Sequence, residues 1–281
     1  MNTVKKAKII ELCKKYEITN YTINLDGSVD VDDDVDLGDF NLTQIPIKFG
    51  TVRGSFDCSS NPLTSLKNSP QKVYESFICN YTDIETLEGS PQKVNDFIIY
   101  NNKKLISLKG NPEIVYGSYS LFNNGIKNLD GITKKIGADL TIGSNQLTSL
   151  KGCPNVINGN FDCCFNNLTS LEGGPKIVNG DFFGTGNFII SLVHSPERVK
   201  KSFYLDKNRL TTLKGIPIFI GENFDISGNR LENLDYLETS EIRGKIYPLG
   251  NPVFFNLGDI NYRNYYLSLV RSKKINDILN H

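Results

Sequence analysis

Aliphatic residues recur every 21 positions through most of this chain. Leu42, Leu63, Ile84, Leu105, Ile126, Leu147, Leu168, Ile189, Leu210 and Leu231 form one column. Ile45, Leu66, Leu87, Leu108, Leu129, Leu150, Leu171, Leu192, Leu213 and Leu234 form a second, three residues further on. A fixed period of this length marks a repeat array. One unit is too short to bury its own apolar side, so each coil must cover the one before it and the core becomes a continuous column. A length of 281 residues would otherwise suggest one large domain or two medium ones. The period overrides that prior and predicts an elongated solenoid.

From Val52 the unit reads V-x-G-x-F-x-C-x-x-N-x-L-T-S-L-x-G-x-P-x-x, and it continues to about residue 240. Phe56, Phe77, Ile98, Tyr119, Leu140, Phe161, Phe182, Phe203 and Phe224 share the F column. Cys58, Cys79, Leu121, Ile142, Cys163, Leu205 and Ile226 share the column two residues on. Side chains two apart point to one face of a strand, so these columns define a short strand whose copies stack into a parallel sheet. Asn61, Asn124, Asn145, Asn166, Asn187, Asn208 and Asn229 follow at the turn. An inward amide there can donate to one coil's carbonyl and accept from another's N–H. Thr82 and Lys103 interrupt this ladder. The Gly and Pro of LxGxP close each coil. Beside them a column alternates in sign through Lys67, Glu88, Lys109, Asp130, Lys151 and Glu172. Opposite charges facing across strands contribute roughly 0.2–1 kcal/mol each and favour stacking in register.

The ends differ from the array. Ile9, Leu12, Cys13 and Tyr16 have helical spacing, and Asp26-Gly27 between alternating segments signals a hairpin. Residues 1–30 therefore read as a helix and hairpin cap. Asp30, Asp32, Asp34 and Asp36 alternate with valines and lack the glycine and terminal glutamate of a calcium loop. They read as charges on an edge strand, which discourage aggregation, and this strand is the first coil. The solenoid is expected over residues 31–257, about eleven coils in all, the last needing one inserted residue to align Ile242, Ile246 and Asn251. Tyr262, Tyr265, Tyr266, Leu269 and Val270 are spaced as a helix, so residues 258–281 are expected to be a C-terminal helical cap.

Charge and composition narrow the function. Thirty-one basic residues balance 31 acidic ones, so the basic footprint that a nucleic-acid partner needs is missing. No long apolar run predicts a membrane span, and lysines stand where a signal peptide has its apolar stretch. A membrane partner is not expected, and the cytoplasm is the expected location. The cysteines fall in buried columns and read as small hydrophobes, with no CxxC spacing. No metal and no cofactor is expected. His194 occupies the glycine position of an LxGxP-like turn and His281 is the last residue; no hydrolase, zinc-protease or phosphate-loop motif accompanies them. An enzyme is not expected.

The segments FDCSSNPLTSL and FDCCFNNLTSL, with LxxNxL followed by a second leucine, resemble the leucine-rich repeat family. The variant FxCxxNxLTSLxGxP after YTINLDGSVDVDDDVDL looks like leucine-rich repeat proteins of large tailed bacteriophages and some bacteria. The resemblance implies a right-handed α/β-type repeat solenoid, mostly β, that presents its strand face to a protein partner, and a viral origin. Unlike longer leucine-rich repeats, the chain has no helical pattern on the outer side of its coils, so turns or brief 3₁₀ segments are expected there.

Candidate binding residues are those that break the polar pattern of the strand face, whose positions usually hold Ser, Asp and Asn. One patch comprises Ile78, Tyr81, Phe97, Ile99 and Phe122. A second comprises Phe165, Phe183 and Tyr204, bordered by Asp162, Asp181 and Asp206. Exposed apolar clusters of this kind mark interaction sites. The expected function is non-enzymatic protein recognition by a monomer or weak oligomer, with capture of a host factor if the origin is viral. The alternative is a structural or adhesive component of a larger viral assembly.

Overall fold

A computed structural model describes residues 3–255. It is a mostly β parallel solenoid of about ten coils with the 21-residue spacing. The F column is the spine of the fold. Val35, Phe56, Phe77, Phe97, Tyr119, Leu140, Phe161, Phe182, Phe203, Phe224 and Ile246 pair in that order, each parallel to the next. Their side chains join the two leucine columns in one core cluster that runs the length of the array. Ring stacking adds to burial along the spine: Phe56 and Phe77 lie parallel at 5.7 Å, and Phe182 and Phe203 meet edge to face at 4.9 Å.

The V column forms a second parallel ladder, which the expectation of turns outside the strand did not include. Val156–Ile157, Ile177–Val178, Arg198–Val199, Phe219–Ile220 and Glu241–Ile242 make a five-stranded sheet of their own. In earlier coils the two ladders merge, and Lys72–Ile78 is one continuous strand. Val52, Val73, Val94 and Val178 are buried, so this short β-branched column supplies the second inner wall. Beyond the second leucine the chain runs through turns, with a 3₁₀ helix at Leu237–Thr239.

The corner between the two ladders explains the glycine of V-x-G-x-F. Asp139 Oδ1 accepts from Asn160 N at 2.6 Å, Asn160 Oδ1 from Asp181 N at 2.8 Å, and Asp181 Oδ1 from Ser202 N at 2.9 Å. The first two acceptors lie where the next coil's glycine would carry a Cβ: at Gly159 the added atom would overlap Asp139 Oδ1, and at Gly180 it would overlap Asn160 Oδ1. Glycine leaves room for a side chain that satisfies the bent backbone.

The asparagine ladder is continuous through most of its length, including the second of its two interruptions. Asn166 Nδ2 donates to Ile142 O at 3.0 Å, Cys163 O at 3.1 Å and Cys164 O at 3.2 Å, and its Oδ1 accepts from Leu147 N at 3.0 Å. Lys103 is not the ladder position. Asn102 is, fully buried, with Nδ2 donating to Cys79 O at 2.8 Å. Thr82 remains the exception: its N–H and its hydroxyl both donate to Asn102 Oδ1. At the far end Asn251 takes the ladder position after the expected one-residue insertion, with Phe224 paired to Ile246. Of the charge column, Lys109 and Glu88 pair at 2.8 Å, both well exposed.

At the N-terminus helix α1 (Thr3–Lys15) buries Ile9 and Cys13 in the core cluster. Tyr16 packs edge to face on Phe40 at 5.1 Å. Strands β1 (Tyr21–Ile23) and β2 (Val29–Val31) form the antiparallel hairpin, with Gly27 at φ 82° in its turn. The expected C-terminal cap, residues 258–281, lies outside the described residues.

Candidate functional site

The strand face is built by the positions next to the buried F column. The first patch differs from its sequence-based composition because one coil is out of register. Val73 pairs with Val94, but Phe77 pairs with Phe97, one residue early. Phe97 is fully buried, parallel to Phe77 at 5.5 Å and edge to face with Tyr119 at 5.2 Å. Ile99 is also fully buried, in the column of Cys79 and Leu121. Both are core residues and cannot contact a partner on this face. The ring outweighs the backbone's regularity, because a phenyl buries more apolar area than the Ile98 side chain that a gapless alignment would place inside. A residue gained before Leu105 restores the period, which is why the leucine columns concealed the shift.

The corrected first patch is Ile78, Ile98, Tyr81, Tyr100 and Phe122. Ile78 and Ile98 are register partners on the outer face, both half-buried. Tyr81 and Tyr100 meet edge to face at 5.5 Å, and Phe122 is exposed. An open groove of about 690 Å³ adjoins Tyr81, lined also by Asn61, Thr82, Asp83, Lys103 and Lys104. Lys104 and Asp83 pair across it at 3.1 Å.

Within the second patch two of the rings are brought together. Phe183 and Tyr204 are register partners, half-buried, with parallel rings 5.1 Å apart. Phe165 stands at the turn of the preceding coil, 57 % exposed. Its ring lies over the backbone of Gly186 in the next coil, where a Cβ would come within 2.6 Å of Phe165 Cδ1.

The bordering aspartates have structural partners as well as exposure. Asp162 Oδ1 accepts from Cys164 N at 2.8 Å, bracing its own loop as Asp57 does with Ser59 N and Asp225 with Ser227 N. Asp181 is a corner member, and Asp206 Oδ1 accepts from Thr185 Oγ1 at 2.5 Å. Phe183 and Tyr204 stand in the same column as Asp57, Asp162 and Asp225 and cannot make that loop bond. Cys164, between Asp162 and Phe165, has its thiol pushed up to about 12, first by burial and then by the Asp162 carboxylate.

Backbone conformation singles out two of the same residues. The position just before the ladder asparagine is left-handed in coil after coil, at Ser60, Asn101, Asn123, Ser144, Gly186, Lys207 and Gly228. Tyr81 at φ 53° and Phe165 at φ 52° occupy it too. A bulky ring is disfavoured there, at a cost of order 1–3 kcal/mol in such regions. The signal was present in the sequence, since the column otherwise holds Asn, Asp, Ser, Gly and Lys, residues that are small, tolerant of this conformation or flexible.

Among the described residues no group of three or more His, Cys, Asp or Glu side chains is placed to hold a metal ion. His194 is exposed at φ 70°, in the turn column that Gly173 and Gly215 also occupy at positive φ. No described helix is long and apolar enough to cross a membrane. No protein-family model matches the chain, and no curated protein or solved structure matches it either.

Proposed function

We propose that this chain is a non-enzymatic recognition module that holds a protein partner on the strand face of its solenoid. One observation carries the reading. Phe183 and Tyr204 replace aspartates whose carboxylates brace the loop elsewhere in the column, and they stay half-exposed and stacked. Stability alone does not favour that exchange. Phe165 and Tyr81 support it, because each holds a ring at the surface in a conformation that rings disfavour. A preformed, repetitive face avoids much of the ordering cost of association, so a few aromatic anchors can dominate the affinity.

The finer assignments belong to the same proposal. The LxxNxL columns favour a leucine-rich-repeat type of solenoid, right-handed and closed by helical caps at both ends. Its resemblance to phage-encoded members makes a host factor in the cytoplasm the partner to seek.

The test is affinity measurement against the captured partner with two double variants. Phe183→Ala with Tyr204→Ala, and Tyr81→Ala with Phe122→Ala, are each expected to weaken capture by more than about 1.4 kcal/mol, a tenfold change, with the far-UV circular dichroism melt retained. Undiminished binding by both folded variants would refute the strand face as the contact surface. Self-association of the parent that the same substitutions abolish would instead favour the structural-subunit alternative.

A further inference from the structure

Charge is sorted on this neutral chain. From the coil of Val35 to that of Phe224, three columns form the strand face: those immediately before, immediately after and three after the buried F column. Every charged side chain in them is an aspartate. The basic residues lie in other columns or in the last coil; Lys201 stands at the corner, and Lys207 shares the bordering turn column with Tyr81 and Phe165. Ion pairs form off this face: Asp26 with Lys48, Asp32 with Arg53, Asp83 with Lys104, Glu88 with Lys109 and Glu241 with Arg243.

The carboxylates around Phe183 and Tyr204 are also held in place. Asp181, Asp206 and Asp225 are each fixed through Oδ1 by Ser202 N, Thr185 Oγ1 and Ser227 N. Among the described residues no donor occupies their Oδ2 atoms. Fixed anionic acceptors beside an apolar surface suit a long cationic side chain, whose stem packs on the rings while its head reaches the carboxylates. Arginine fits best, since its planar guanidinium binds carboxylates in two-point fashion and is weakly hydrated. A phosphate-bearing partner would be repelled along the whole face.

We infer that the strand face around Phe183 and Tyr204 recognises a basic, arginine-bearing segment of its protein partner. The inference rests on the proposed recognition role and names the chemistry of what is recognised.

The experiment is fluorescence anisotropy of the full chain with three fluorescein-labelled peptides of equal length, alternating glycine with arginine, glutamate or tyrosine. Two variants accompany it: Phe183→Ser with Tyr204→Ser, and Asp181→Asn with Asp206→Asn and Asp225→Asn. Asparagine keeps the Oδ1 bonds, as Asn160 and Asn223 already do at the corner. The arginine peptide is expected to bind, more weakly as salt rises toward about 0.3 M. Both variants should lower its affinity at least about tenfold, and the glutamate peptide should not bind. Failure of the arginine peptide to bind, or full affinity in the aspartate variant, overturns the inference. If the tyrosine peptide binds in a manner lost with Phe183→Ser and Tyr204→Ser while the arginine peptide does not, the patch stands and only its cationic assignment falls. If no peptide responds to that aromatic variant, the patch falls with it.

Discussion

Asn166 is where the internal logic of the solenoid can be tested with one side chain. Its amide is buried and ties its own coil to the preceding one. Removing it in Asn166→Ala would orphan none of the three carbonyls. Ile142 O keeps Asn145 Nδ2 at 3.1 Å, Cys163 O keeps Asn187 Nδ2 at 3.0 Å, and Cys164 O keeps Ser144 N at 2.8 Å. The N–H of Leu147 loses Asn166 Oδ1 at 3.0 Å, its acceptor. One orphaned buried donor costs about 1–3 kcal/mol, and the lost net bonds to carbonyls that retain a partner add about 1 kcal/mol. The expected total is about 2–4 kcal/mol. Asn166→Asp keeps the acceptor for Leu147 N but turns a carboxylate toward three carbonyls, which raises its folded-state pKa. Its stability should therefore match the parent most closely below the unfolded carboxyl pKa of about 3.9 and be lost as pH rises through the folded value. Urea titration by circular dichroism, at acid and neutral pH, reads both effects. A change under about 0.5 kcal/mol in Asn166→Ala, or an Asn166→Asp variant insensitive to pH, would refute the ladder as a stabilising element.

Three further outcomes follow from burial and backbone conformation. Phe97→Ala should cost about 3–5 kcal/mol by opening a cavity, whereas Ile98→Ala should cost under about 1.5 kcal/mol; denaturant titrations giving the reverse would restore the gapless register. Phe165→Asn replaces a strained ring with a residue tolerant of positive φ, so stability should stay within about 1 kcal/mol of the parent while partner capture weakens about tenfold; a loss as large as that of Phe97→Ala would make the ring core. Cys153 and Cys164 are pushed up to about 12 by burial, against about 8.5 when unfolded, so a thiol reagent at neutral pH should label them only on unfolding. The stability that goes with those raised values is present below the unfolded pKa and is lost as pH climbs toward the folded one, so the urea midpoint in reductant should fall between about pH 8.5 and 12.

The period made the solenoid legible because burial acts on columns. A leucine column without gaps has one physical explanation, and Leu147 and Leu168 are fully buried, as that explanation requires. The second patch was legible for a related reason: Phe183 and Tyr204 interrupt a polar column that is in register on both sides. Phe97 and Ile99 were misplaced because a deletion and an insertion cancel within one coil, leaving Ile84 and Leu105 at the regular spacing. The ladder of Val156, Ile177 and Arg198 escaped notice because only one side of each two-residue strand faces the core. The roles of Asp139 and Asp181 at the corner depend on contacts 21 residues away, and no local pattern announces them.

Site-specific photocrosslinking locates the partner on the solenoid surface. A benzophenone side chain placed at Phe183 samples the strand face, and one at Ile218, exposed on the second ladder's side, samples the surface away from it. Recognition on the strand face requires a crosslinked adduct with the partner from position 183, competed by unlabelled parent protein, and none from position 218. Equal adducts from both positions, or an adduct from 218 alone, would contradict it.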